Sequence, residues 1–272
     1  MSRVEPSCGQ IPRGDAVAYP FLPSPHVTRT GGRRINLLVL HTMELDERDD
    51  AALSCARWFQ NPRSRLSAHY CVDADSVVQC VRDEDVAWHA PGANHDGLGI
   101  ELAGRANQSR REWADAYSTE VLARTAALAA ELCRRHSIPP TWLWPSDLRA
   151  GRRGIAAHAS VSEAFGRSDH RDPGNGFPVE RYLMLLRGYL GQNGHNEILK
   201  PDPPTLRRGA SGWQVTRLQR LLRRHGQLGP PAKLDGELGP LTEAAVRAFQ
   251  ALHGLEPDGI VGPLTWSAIL GA

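Results

Sequence analysis

Three residues at distant points of the chain have the types needed to hold a metal ion in an open site. His41 closes the apolar run INLLVLH, where a polar side chain among buried neighbours needs a partner. His158 lies in GIAAHASVSEAF, after a short apolar run and just before an expected helix start, with Ser160 and Glu163 at the spacing of a capping box. Asp172 sits in SDHRDPGNGF, too rich in turn formers for helix or strand. Two imidazoles and one carboxylate, with water as fourth ligand, are the set of an open tetrahedral catalytic zinc. Zinc so bound lowers the pKa of its water and polarises a carbonyl, which suits amide hydrolysis. No tight local spacing ties the three together, and most of the eleven histidines read as surface or hydrogen-bonded structural residues. Residue types alone therefore leave this as one reading among several. A helical HExxH and a GxSxG elbow are both absent, which weakens the commoner hydrolase alternatives.

The elements that must carry these residues follow from periodicity. INLLVLH (35–41) predicts a buried central strand ending at His41. DDAALSCARWFQ predicts a helix with Ala52, Cys55, Ala56 and Phe59 on one face. AHYCVDADSVVQCV alternates on either side of DADS and predicts a hairpin; DADS lacks the Gly and closing Glu of a calcium loop and reads as its turn. LGIELAG predicts another strand, and its GLG is no dinucleotide fingerprint because the third glycine is misplaced and no helix pattern follows. Thr119 to His136 is the strongest helix, opened by a Thr cap and closed by basic residues, and a second runs from Pro178 through ERYLMLLRGYL. Strands mixed with helices make this first domain α/β or α+β.

Composition then changes. LGQNGHNEILKPDPPTLRRG is polar and proline-bearing, which marks a linker over 191–206. Beyond it DGELGPLTEAAV and DGIVGPLTWSAI repeat, each an Asp-Gly turn feeding a helix. With VTRLQRLLRRHG as a first helix, residues 207–272 form a small all-α three-helix domain. Residues 1–190 form the first domain, with 1–30 as an extended arm wrapping it.

Bulk properties narrow the class. The chain of 272 residues is 41% hydrophobic with a net charge of +2, enough for one sizeable core and a small second domain. Its arginines are scattered among acids and no aromatic-interleaved basic stripe occurs, which excludes a nucleic-acid partner. The five cysteines form no CxxC pair; Cys71 and Cys80 flank the hairpin and could meet across it, but small core residues are the better reading. The N-terminus has no apolar h-region and no apolar run nears 18 residues, so synthesis without an export signal and no membrane insertion are expected.

LLVLHTMEL, LSAHYCVDADSVVQCV, VAWHAPGANHDGLGIELAG, AAHASVSEAF and DHRDPGNGF stand in an order and spacing that resembles the zinc-dependent N-acetylmuramoyl-L-alanine amidases of the peptidoglycan-recognition-protein fold. The resemblance covers roughly 33–190 and implies a mixed central sheet flanked by helices. The tail, with LRRGASGWQVTRLQRLL, both DGxxGP copies and AVRAFQALHGL, resembles the three-helix peptidoglycan-binding domain attached to such enzymes. Residue by residue, the resemblance makes His41, His158 and Asp172 ligands of Zn2+, with Pro173 and Gly174 fixing the turn that presents Asp172. It makes Glu101 the general base and His89 and Asn94 groove residues that contact the muropeptide. His170 takes a place where many members carry Lys to stabilise the oxyanion; a histidinium there would make activity more sensitive to alkaline pH. His69 is expected in a structural role, and Ala68 replaces a tyrosine that some members have.

The resemblance thus implies a zinc amidase that cuts the bond between N-acetylmuramic acid and L-alanine of the stem peptide, with bacterial peptidoglycan as partner and a monomer as default. An extracellular substrate with no export signal fits a phage endolysin or an autolysin exported by another route. The alternatives are a non-catalytic peptidoglycan recognition protein and a cytoplasmic amidase recycling anhydro-muropeptides, the latter disfavoured by the wall-binding tail.

Overall fold

The structure is a computed structural model that describes residues 19–48, 50–191 and 205–271. Along the chain come β1 (Val27–Thr28), β2 (Leu37–Thr42), α1 (Ala51–Gln60), β3 (Tyr70–Val72), β4 (Val77–Gln79), β5 (Val86–Ala87) and β6 (Gly97–Leu102). A 3-10 turn (Glu112–Ala114), α2 (Ala116–His136), β7 (Trp142–Leu143), α3 (Pro145–Arg149), β8 (Gly154–Ala157), α4 (His158–Phe165) and α5 (Val179–Gly191) complete the first unit. α6 (Trp213–Arg224), α7 (Pro240–Leu252) and α8 (Pro263–Gly271) make up the second.

Six strands form one sheet in the order β4-β3-β6-β2-β8-β7. β2 is buried at all six positions because it has parallel neighbours on both sides, β6 and β8, and helices over both faces. Alternation then sorts its side chains. Leu38 and Leu40 join Leu122, Ala126, Tyr182 and Leu186 of α2 and α5, whereas Leu37 and Val39 face the opposite side with Leu148 of α3 and Val161 of α4. His41, two residues beyond Val39, belongs to that second face. On the same side Ala52, Cys55, Ala56 and Phe59 of α1 pack on Cys71 and Val78, the face that the helical spacing predicts.

β3 and β4 pair antiparallel as the expected hairpin. The DADS turn does more than reverse the chain. Asp73 accepts from Asp75 N, Ser76 N and Ser76 Oγ, and also from Ala52 N in the first turn of α1 (2.9 Å), so one buried carboxylate closes the hairpin and caps a helix. β4 is the sheet edge, and part of the arm covers it: Leu22 N and Ser24 N donate to Gln79 O and Cys80 O. The remainder of the expected arm, residues 1–18, lies outside the described residues, as do Cys8 and most of the linker. Cys55, Cys71, Cys80 and Cys133 are free buried thiols; the Sγ atoms of Cys71 and Cys80 do meet, at 3.8 Å, as neighbours within the core.

Two expected caps are corrected. α2 begins at Ala116, three residues before Thr119, because the Asp115 carboxylate accepts from Ser118 N and caps the helix instead. α4 begins at His158 itself, which puts Ser160 and Glu163 inside the helix and leaves no capping box.

The C-terminal unit has its own core of Val215, Leu218, Leu222, Val246, Phe249, Val261, Trp266 and Ile269. Its repeat has a physical basis. Gln219 Nε2 donates to Asp235 Oδ1, Glu237 O and Thr242 Oγ1, while Gly236 N donates to its Oε1. Gln250 makes the same four contacts with Asp258, Ile260, Thr265 and Gly259. Each DGxxGPxT turn is thus wrapped around one buried glutamine, which satisfies a turn amide, a turn carbonyl and two side-chain groups. Gln250→Ala is expected to destabilise this unit by about 2–3 kcal/mol, since it strands several buried polar groups at once. Hydrogen exchange on the full chain checks this: protection should fall from Gly259 to Thr265, and unchanged protection there would contradict it.

Candidate active site

The parallel register assembles the site. Glu101 of β6 pairs with His41 of β2 on one side and Cys71 of β3 on the other. Leu40 pairs with Ala157, so His158, the next residue, stands beside His41 at the end of β8. A row Cys71, Glu101, His41, His158 therefore crosses the carboxyl ends of four adjacent parallel strands, the usual place for a site in an open α/β sheet.

Asp172 arrives from the loop after α4. Its backbone carbonyl accepts from Ala159 N (2.9 Å), and a cis peptide bond joins it to Pro173. Gly174 has φ +86°, and a Cβ there would lie 1.8 Å from Ala106 O, so only glycine lets this loop rest against the 105–109 segment. His41 Nδ1 lies 3.2 Å from Asp172 Oδ2, and His158 Nδ1 lies 3.2 Å from Asp172 Oδ1. One ligand atom from each of the three residues fits within 4.8 Å of the others, and all three residues are buried. His158 Nδ1 makes no hydrogen bond there despite its burial. A buried nitrogen that makes no well-aligned hydrogen bond, 3.2 Å from a carboxylate oxygen and beside a second imidazole, is what a cation site looks like before the cation is counted. The residues present thus fit a divalent metal.

Electrostatics agree. Burial alone would raise the Asp172 pKa, but the contacts with His158 and His41 hold it well below the carboxylate range. Burial lowers the pKa of His41, which Asp172 only partly offsets, so the imidazole is neutral and its lone pair is available. Half-buried Glu101 is pushed well above its ordinary value by burial, then by the Asp172 and Glu44 carboxylates. A dication among these acids would act in the opposite direction.

His170 is exposed, stacks on His158 with ring centroids 4.2 Å apart, and places Nδ1 3.5 Å from Asp172 Oδ1. His89 and Asn94 line the same cavity, but not as free groups. His89 Nδ1 lies 3.0 Å from His41 Nε2, and Asn94 Oδ1 accepts from the backbone of His89 and Ala90. His69 is fully buried, accepts from Gly99 N at Nδ1, and has its pKa driven to about 3 by burial and then by Arg33.

The cavity measures about 530 Å³, and residues that sequence reasoning passed over complete its wall. Trp58, Leu66 and Trp88 are exposed at its rim, and Glu44 and Arg65 line it with φ of 54° and 50°. Non-glycine residues in that conformation are costly and concentrate at binding sites. The signal for Trp58 was present: a large aromatic of α1 that lies off its apolar stripe.

A mixed, mostly parallel sheet with a His-His-Asp pocket at its strand ends defines an enzyme scaffold able to take a metal. Residues 31–175 match the N-acetylmuramoyl-L-alanine amidase family, and the chain belongs to it. Residues 211–269 match a peptidoglycan binding domain. N-acetylmuramoyl-L-alanine amidase A of Achromobacter lyticus is 28% identical over 188 residues, which cover 64% of this chain and 95% of that one. N-acetylmuramoyl-L-alanine amidase CwlL of Bacillus licheniformis is 26% identical over 219 residues, 76% of this chain and 57% of its own length. Among solved structures, the Staphylococcus aureus hydrolase AmiA in complex with its ligand is similar with a TM-score of 0.48, at 19% identity over 61% of this chain and 78% of that one. The chain is a peptidoglycan amidase with an attached peptidoglycan-binding domain. No helix among the described residues is long and apolar enough to cross a membrane.

Proposed function

We propose that His41, His158 and Asp172 hold Zn2+ and that the bond cut is the amide between the lactyl group of N-acetylmuramic acid and L-alanine. The convergence of three buried ligand atoms within 4.8 Å at the floor of the cavity carries this reading. Zinc supplies, when bound, a Lewis acid for the amide carbonyl and water made nucleophilic near neutral pH. Glu101, next to His41 across β2 and β6, takes the proton released as water attacks and returns it to the leaving amine of L-alanine. His170, at the open side of the pocket, donates an N–H to the oxyanion that forms on the attacked carbonyl. Asn94 has Oδ1 committed to the loop, which leaves Nδ2 as its group for the muropeptide, and His89 backs the same wall. The C-terminal domain raises the local concentration of the enzyme on an insoluble polymer, which suits attack on intact wall rather than on soluble fragments.

Mass spectrometry of the digest of purified sacculi tests the bond assignment. Stem peptides with free L-alanine amino termini and glycan strands with intact lactyl groups are expected; new reducing ends or cleavage within the peptide would overturn it.

A further inference from the structure

Both imidazoles of the proposed ligand set present Nδ1 to Asp172, so each has Nε2 facing away. A histidine that gives one nitrogen to a metal must carry its proton on the other, and whatever meets that nitrogen fixes the tautomer and the ring plane. For His41 the group met is neither a carboxylate nor a carbonyl but a second imidazole, that of His89. His41 Nε2 lies 3.0 Å from His89 Nδ1, with the rings edge to face, 5.2 Å apart at 86°.

The direction of this hydrogen bond follows from the far side of His89. Its Nε2 lies 3.4 Å from Gly97 O, and a carbonyl only accepts. The single proton of neutral His89 therefore sits on Nε2, and Nδ1 is left as an acceptor. The ring is held in place by construction. Gly99 pairs with Val39 on the same face, and a Cβ at Gly99 would lie 2.6 Å from His89 Cγ. Asn94 Oδ1 accepts from His89 N and Ala90 N and fixes the backbone that carries the ring.

We propose that His89 is a positioning residue: through the relay Gly97 O, His89, His41 it locks His41 with its proton on Nε2 and its Nδ1 lone pair toward His158 and Asp172. This rests on the reading of those three residues as the metal site. Ser168 serves His158 in the same way, with Oγ 3.5 Å from His158 Nε2 and 2.7 Å from Ser162 Oγ.

Two measurements test it. In the metal-free wild type, nitrogen-resolved imidazole spectra should show His89 as the Nε2–H tautomer; the Nδ1–H tautomer would overturn the proposal whatever the metal does. Zinc affinity by chelator competition is then compared in wild type, His89→Phe and His89→Asn, with the melting temperature of each metal-free protein. His89→Phe keeps a ring but no acceptor and should bind zinc about 10–100-fold more weakly at a similar melting temperature. His89→Asn, which restores an acceptor near the Nδ1 position, should return most of the affinity. Wild-type affinity in His89→Phe, or no recovery in a folded His89→Asn, sinks the proposal alone. Failure of the wild type to bind zinc sinks the metal-site reading and the proposal with it.

Discussion

Glu101→Gln is expected to lower kcat on purified sacculi by about a hundred- to ten-thousand-fold with the zinc content of the protein unchanged. Glutamine matches glutamate in size and keeps one carbonyl oxygen, so it fits between Cys71 and His41 in the strand row without disturbing the sheet. It loses only the ability to take a proton. The amide also removes a carboxylate that lies near Asp172 and Glu44, so the folded state is not expected to suffer from the change. Activity within a few-fold of wild type would show that another group accepts the proton. A fall in zinc content would show that Glu101 acts on the ligand set rather than on the reaction.

Asp83→Ala is expected to lower stability by about 3–5 kcal/mol, as removal of one member of a buried charged network does. The carboxylate of Asp83 accepts from Tyr70 Oη (2.6 Å) and Arg135 (2.9 Å) and meets His136 Nε2 at 2.8 Å. Its backbone carbonyl accepts from Arg33 Nε, and the same guanidinium ties down the carbonyls of Asn94, His95 and Gly97. Burial alone would raise the Asp83 pKa, yet the contacts with His136, Tyr70 and Arg135 bring it down to about 2. A carboxylate whose folded pKa lies below its unfolded one adds stability at pH above the unfolded value, near 3.9, and loses it as pH falls toward the folded value. Denaturant unfolding should therefore show a wild-type stability that drops by about 2 kcal/mol between roughly pH 5 and pH 2 from this group. The gap between wild type and Asp83→Ala should narrow over the same interval. A gap independent of pH would mean that packing, not charge, accounts for the loss.

The legible part of this protein was the part governed by local rules. The buried run before His41, the apolar face of α1 and the turn chemistry around Asp172 were each readable because one segment contained the whole signal. The row Cys71, Glu101, His41, His158 was not, because strand register across β3, β6, β2 and β8 is decided by packing between segments far apart in sequence. β7 and α3 escaped notice since two residues of strand and five of helix carry no periodicity. The start of α2 was misplaced because Asp115 and Thr119 are both good caps, and only the geometry of Ser118 N decides between them. Gln219 and Gln250 were invisible to repeat analysis for a related reason: they stand 16 and 8 residues before the Asp of their turns, so no common spacing links them. The second role of His89 depended on which atom each ring nitrogen meets, which no spacing encodes.

The central claim is that Asp172, with His41 and His158, holds the metal on which amide cleavage depends. Bound zinc per chain, measured together with release of L-alanine amino groups from purified sacculi, tests it most directly in wild type and Asp172→Ala. One zinc per chain with amino-group release in the wild type, and loss of both in a folded mutant, is the predicted result. Undiminished zinc and cleavage in Asp172→Ala would contradict it.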